Sequence, residues 1–166
     1  DGRNEKAARR ALLDVVGVPA ARVHAMPPSD GGFAEPEDAA AWYAGELAAA
    51  APEGQAVPRL DLLLLGMGPE GHVASIFPES PAVDDERAVV AVRDCPKPPP
   101  TRVSLGFAAI NSAEEVWLLV SGAAKAPAVA QALSGTDPAQ LPAAGVHGTR
   151  ATRWLLDEAA AADLPG

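Results

Sequence analysis

Residues 62–78 read LLLLGMGPEGHVASIFP, and this stretch decides the fold. From Leu60 to Leu65 nearly every residue is apolar, with no alternation. A continuous apolar run bounded by turn residues predicts a strand buried on both faces, as in a parallel sheet. The run meets Gly66, Gly68 and Gly71, spaced as G-x-G-x-x-G, and then His72. In a dinucleotide site such glycines open a long helix whose N-terminus faces the pyrophosphate. Here Pro78 and Pro81 cut the following segment to about two turns. No second strand with an acidic end follows closely; Asp84 and Asp85 sit in a polar turn. The glycines therefore predict a loop whose backbone approaches a ligand, and not a dinucleotide site.

A second strand–glycine–helix unit lies downstream. Val116 to Val120 is again continuous and apolar, and it runs into Ser121-Gly122. Ala123 to Leu133 reads as a helix closed by Gly135. Ligands in open α/β sheets bind at the carboxyl ends of strands, so the site is expected where the two loops meet. His72 is read at the start of a helix, where the macrodipole disfavours the imidazolium and keeps the ring a proton acceptor near pH 7. Glu70 either orients that ring or acts as a second acid/base group; a solvated loop carboxylate is the plain alternative. Ser121, Gly122 and the next amides suit a phosphate, with Lys125 as counter-charge; the plain alternative is an exposed helix lysine. Arg102 follows three prolines and precedes a strand, either near the sheet's end or simply on the surface.

The remaining elements follow from local signals. Asn4 reads as the N-cap of a helix to Val16, stopped by Gly17 and Pro19. Arg22 to Met26 reads as a short strand. Pro36 opens a second helix that runs to Pro52. Ala88–Val92, Val103–Leu105 and Arg153–Leu156 read as strands, and Asp157 as the cap of a closing helix, Glu158–Ala162. The fold class expected is α/β: an open, mostly parallel sheet flanked by helices, in one domain over residues 1–166.

Composition narrows the function classes. At 166 residues with 48% hydrophobic content, the chain has enough material for a sizeable core. A net charge of −9 argues against a broad nucleic-acid footprint. The longest apolar run is too short to cross a bilayer, and the opening DGRNEKAARR has no apolar leader region. The single cysteine, Cys95, excludes an internal disulfide and a cysteine zinc site. His24 and His147 belong to no zinc-binding spacing, and no G-x-S-x-G elbow occurs. A cytoplasmic setting is expected, with no metal, nucleic-acid or membrane partner.

The residues Gly66 to Pro78, GMGPEGHVASIFP, resemble the signature of the 6-phosphogluconolactonases, close to G-M-G-x-D-G-H-x-A-S-x-F-P. The order of later motifs matches too: P-P-x-R-[VI]-[ST]-L at Pro99–Leu105, A-E-E-V-W at Ala113–Trp117, S-G-x-x-K-A at Ser121–Ala126 and W-L-L-D-E-A-A at Trp154–Ala160. The related glucosamine-6-phosphate deaminases continue toward G-H-I-[AG]-F-N-E-P, which Ala74 to Pro78 does not follow. The resemblance implies a Rossmann-like three-layer fold. It also implies hydrolysis of 6-phosphoglucono-δ-lactone to 6-phosphogluconate in the oxidative pentose phosphate pathway, without a cofactor, by a monomer or weak homo-oligomer. By resemblance His72 is the general base, Lys125 faces the phosphate and Arg102 contacts substrate. Gly66, Gly68 and Gly71 are expected to bind substrate, the backbone amides of their loop being candidate oxyanion donors, and Asn4 matches an asparagine of the family's D-E-R-x-V-P…N segment. Glu70 stands where the family has aspartate. The match begins late in the family pattern, as if this chain were the C-terminal two-thirds of a lactonase. Two alternatives stay open: a non-catalytic sugar-phosphate-binding module on the same fold, and a glucosamine-6-phosphate deaminase.

Overall fold

The computed structural model describes residues 4–165. It divides into two compact units, residues 1–31 and 32–166. In the first, α1 (Asn4–Ala8) continues as one π-helical turn, Arg9–Leu13, steadied by an Arg9–Glu5 ion pair of 2.7 Å. The helix expected to Val16 thus ends early, and Asn4 is itself helical rather than a cap. The opening Asp1 to Arg3 lies outside the described residues. The strand expected at Arg22–Met26 does not form. Ala20–Arg22 is a 3-10 turn, and residues 23–28 belong to no strand. Backbone becomes strand only with a neighbouring strand to share the ladder, and no strand is described among residues 4–31.

The second unit holds the sheet. Its elements are α2 (Pro36–Ala50), β1 (Leu62–Gly66), β2 (Val89–Val92), β3 (Arg102–Leu105), α3 (Phe107–Ile110), β4 (Glu115–Val120), α4 (Ala126–Leu133) and β5 (Ala151–Leu156). β1, β4 and β5 form a parallel sheet in the order β1-β4-β5, with Leu65 opposite Leu118 and Leu119 opposite Leu155. β2 and β3 form a separate antiparallel pair. α2 packs on this pair, and Arg93 just beyond β2 clasps Glu35 and Glu37 at its start, at 2.7 and 2.6 Å.

The parallel sheet is covered on one face. Leu65, Val116, Leu118 and Val120 point into a core shared with Val73, Ile76, Ile110, Val129 and Ala132. The opposite face carries Leu62, Leu64, Leu119 and Leu155, all exposed. The expectation that the leucine run is buried on both faces is therefore corrected. Alternate leucines of β1 face solvent because no helix of the second unit's described residues lies over them. The closing helix expected at Glu158–Ala162 is a run of turns. Asp157 Oδ1 does accept the Ala160 N–H at 2.8 Å.

Candidate active site

β1 and β4 end side by side, with Gly66 opposite Leu119. Beyond β1 the chain makes a tight loop and no helix. Met67 bridges Val73, Val73 bridges Ile76, and Ala74 takes a left-handed φ of 50° that a helix would not tolerate. The placement of His72 at a helix N-terminus is therefore wrong. The loop closes on itself, with the Gly68 N–H on the His72 carbonyl (2.9 Å) and the Gly71 N–H on the Gly68 carbonyl (3.0 Å).

Two glycines are required by space. A Cβ on Gly68 would lie 2.0 Å from His72 Nδ1 and 2.7 Å from Glu70 Oε2, and one on Gly71 would lie 2.5 Å from Leu141 Cγ. Gly71 also has a φ of +83°. The site so far is a pocket in the chain's own backbone, cut to hold an imidazole. As placed, the Gly68 and Gly71 amides are spent within the loop, and their contribution is shape. Gly66 meets nothing within 4 Å.

His72 stacks on the buried Phe77 ring, with centroids 4.4 Å apart. Its Nδ1 is buried and lies 3.0 Å from Glu70 Oε1, off the line of a well-formed hydrogen bond. Burial pushes the His72 pKa below the ordinary histidine value. Glu70 opposes this, while the charges of Lys97 and Arg102 reinforce it. The result expected from the sequence, a neutral ring near pH 7, is reached by desolvation and neighbouring cations instead of a helix dipole. Glu70 behaves differently. Desolvation would raise its pKa, but hydrogen bonds from Lys97 and from its own backbone, with the His72 ring alongside, outweigh that and bring it to about 2. An ionised carboxylate beside Nδ1 favours the tautomer with the proton on Nδ1, which leaves the Nε2 lone pair to take a proton.

Lys97 was not anticipated from the sequence. Its Nζ lies 2.7 Å from Glu70 Oε1 and 2.8 Å from Oε2. A lysine before three prolines carries no chemical signature, and its partner is 27 residues away in sequence. Arg102 sits nearby, with its guanidinium 5.3 Å from the Phe77 ring centre. It donates to the carbonyls of Lys97, Pro98 and Pro99, at 2.8, 3.2 and 3.0 Å. β3 is tied to the histidine loop as well, through the Ser75 N–H on Ser104 Oγ at 3.0 Å.

The second loop arrives as the sequence suggested. Lys125 donates to the Met67 carbonyl at 2.5 Å, so the ends of β1 and β4 do meet. An ammonium has three N–H groups, and among the described residues only this one bond uses them. The Gly122 amide is already taken by both Asp157 oxygens at 3.0 Å, so it is not open to a phosphate as placed. Asn4 belongs to the first unit. Two shallow hollows lined by Val83, Asp84, Phe107 and Asn111 include no residue of the histidine loop. Among the described residues, no group of three histidine, cysteine or acidic side chains is arranged to hold a metal, and no helix is long and apolar enough to cross a membrane.

Comparison with known proteins settles the family. Residues 1–154 match the family model described as glucosamine-6-phosphate isomerases/6-phosphogluconolactonase. The 6-phosphogluconolactonase of Mycobacterium tuberculosis is 56% identical over 99% of this chain and 68% of its own length. The chain belongs to the 6-phosphogluconolactonase family. The Streptomyces coelicolor 6-phosphogluconolactonase is likewise 56% identical, over 98% of this chain and 64% of its own length. The crystal structure of the Leishmania guyanensis 6-phosphogluconolactonase superposes with a TM-score of 0.77 at 30% identity, covering 97% of this chain and 68% of that one. The α/β architecture with its parallel sheet is thus the family's own, and the chain spans about two thirds of the length of these relatives.

Proposed function

We propose that the protein hydrolyses 6-phosphoglucono-δ-lactone to 6-phosphogluconate, the ring-opening step of the oxidative pentose phosphate pathway, with His72 as general base. The observation that carries this is the His72–Glu70 pair: a half-buried imidazole at the carboxyl end of a parallel sheet, with an ionised carboxylate 3.0 Å from Nδ1. The family membership supports the substrate.

In this reading Nε2 takes a proton from water as the water oxygen attacks the lactone carbonyl. Glu70 stabilises the imidazolium that results. The tetrahedral intermediate collapses with cleavage of the bond from the carbonyl carbon to the ring oxygen, and that oxygen receives the proton back from Nε2. Water is consumed and a hydroxy acid is released. Lys125 holds the phosphate through its two remaining N–H groups, and Arg102 lies at the margin of the substrate.

The test is hydrolysis of freshly generated lactone by the full-length protein near pH 7, with the spontaneous rate subtracted. His72→Ala should lower kcat by roughly 10²–10⁴-fold, the usual contribution of a positioned base. A folded protein with no rate above background would overturn the lactonase reading. Sugar-phosphate binding without turnover would then favour a binding module, and ammonia release from glucosamine 6-phosphate a deaminase.

A further inference from the structure

We infer that Lys97 is a positioning residue for the His72–Glu70 pair, holding the Glu70 carboxylate ionised and aimed at His72 Nδ1. The geometry is specific. Lys97 Nζ spans both carboxylate oxygens, and one of them, Oε1, is also the atom 3.0 Å from the ring nitrogen. A single oxygen therefore joins the ammonium to the imidazole.

An isolated surface ion pair would contribute little. This one is delivered by a built arm. The segment between β2 and β3 is closed at its base by the Cys95 N–H on the Pro100 carbonyl at 2.8 Å. Arg102 gathers its three central carbonyls, including that of Lys97 itself. The Arg102 guanidinium in turn stands over Phe77, the ring on which His72 stacks. Both ends of the arm are thus referenced to the same imidazole, one through Lys97 and Glu70, the other through Arg102 and Phe77. Prolines at 98, 99 and 100 limit the conformations the arm must lose to hold this shape. The charged groups acting on His72 are Glu70, Lys97 and Arg102; Lys125 is anchored on the Met67 carbonyl.

Removing the Lys97 charge has a defined consequence for the ring. A nearby cation disfavours the imidazolium, and a carboxylate freed from its lysine attracts the ring proton more strongly. Both changes raise the proton affinity of His72. The aim of the carboxylate is lost at the same time.

The test uses the full-length protein with Lys97→Met and Lys97→Arg. The His72 ring is titrated by NMR, and kcat and KM are measured across pH. In Lys97→Met the His72 midpoint should move up. The kcat should fall roughly tenfold, as for loss of one hydrogen bond to a charged group, with KM little changed. Lys97→Arg, whose fork also spans two oxygens, should restore both. If Lys97→Met does not fold, Lys97→Gln, which keeps a donor without the charge, carries the same readouts. A folded variant with an unmoved His72 midpoint would overturn the inference, whatever its stability, because a merely structural ion pair leaves the ring's titration alone. The kinetic arm rests on the lactonase reading, but the titration does not. A protein without lactonase activity whose midpoint still moves would overturn that reading and leave Lys97 in its role.

Discussion

Gly68→Ala tests whether the glycine loop exists to hold an imidazole. The new Cβ would stand 2.0 Å from His72 Nδ1, 2.3 Å from Cε1 and 2.7 Å from Glu70 Oε2. Reaching an ordinary contact of 3.4 Å requires the ring to move by about 1.4 Å. The obstructing atoms are ends of side chains and not backbone, so the fold can yield. The stability cost should stay near the lower end of overpacking, about 1 kcal/mol. The activity cost should be far larger, because a displacement of about 1 Å at the reacting group can remove about 10² in rate. The assay is kcat on the lactone beside a thermal melt. Gly45→Ala, inside α2 with nothing within 4 Å of the new Cβ, serves as the control. It should leave kcat unchanged and raise stability by about 0.5–1 kcal/mol. A folded Gly68→Ala enzyme within threefold of wild type, as a rough limit, would refute the idea that this glycine fixes the ring.

The pH behaviour follows from the two shifted groups. With His72 held below the ordinary histidine value, the acid limb of kcat/KM should fall below the pH expected for a free imidazole. Glu70→Gln removes the charge that raises the ring's affinity for protons, so the limb should move further down while kcat drops; an upward move would contradict the pairing. For stability the sign is the same for both groups, since each binds its proton less well folded than unfolded. Stability should be full above the unfolded histidine range and decline as pH falls through it. A further loss from Glu70 should appear between about pH 4.5 and about pH 2, read by melts across pH. Packing gives a third expectation: Leu118→Ala, fully buried in the central strand, should cost about 2–5 kcal/mol. Leu64→Ser, 55% exposed on the open face of β1, should cost under about 0.5 kcal/mol in this chain.

The sequence by itself carried the local chemistry. The strand–glycine–histidine run, the second strand with Ser121-Gly122 and Lys125, and the expectation that the two loops meet are all legible at short range. Apolar continuity and glycine spacing act through backbone sterics within a few residues. The helix after Gly71 was misread because the left-handed turn at Ala74 is set by cross-loop bridges that no local preference announces. Only the tertiary structure decided what surrounds the imidazole. Lys97 reaches Glu70 across 27 residues, and Ser104 reaches Ser75 across 29. It also decided which leucines of β1 are buried, since burial depends on what lies over a sheet face and not on the strand. Charge and desolvation are properties of a neighbourhood in space. The pattern in the chain therefore singled out His72 as the candidate base, and the fold decided the charges and burial around it.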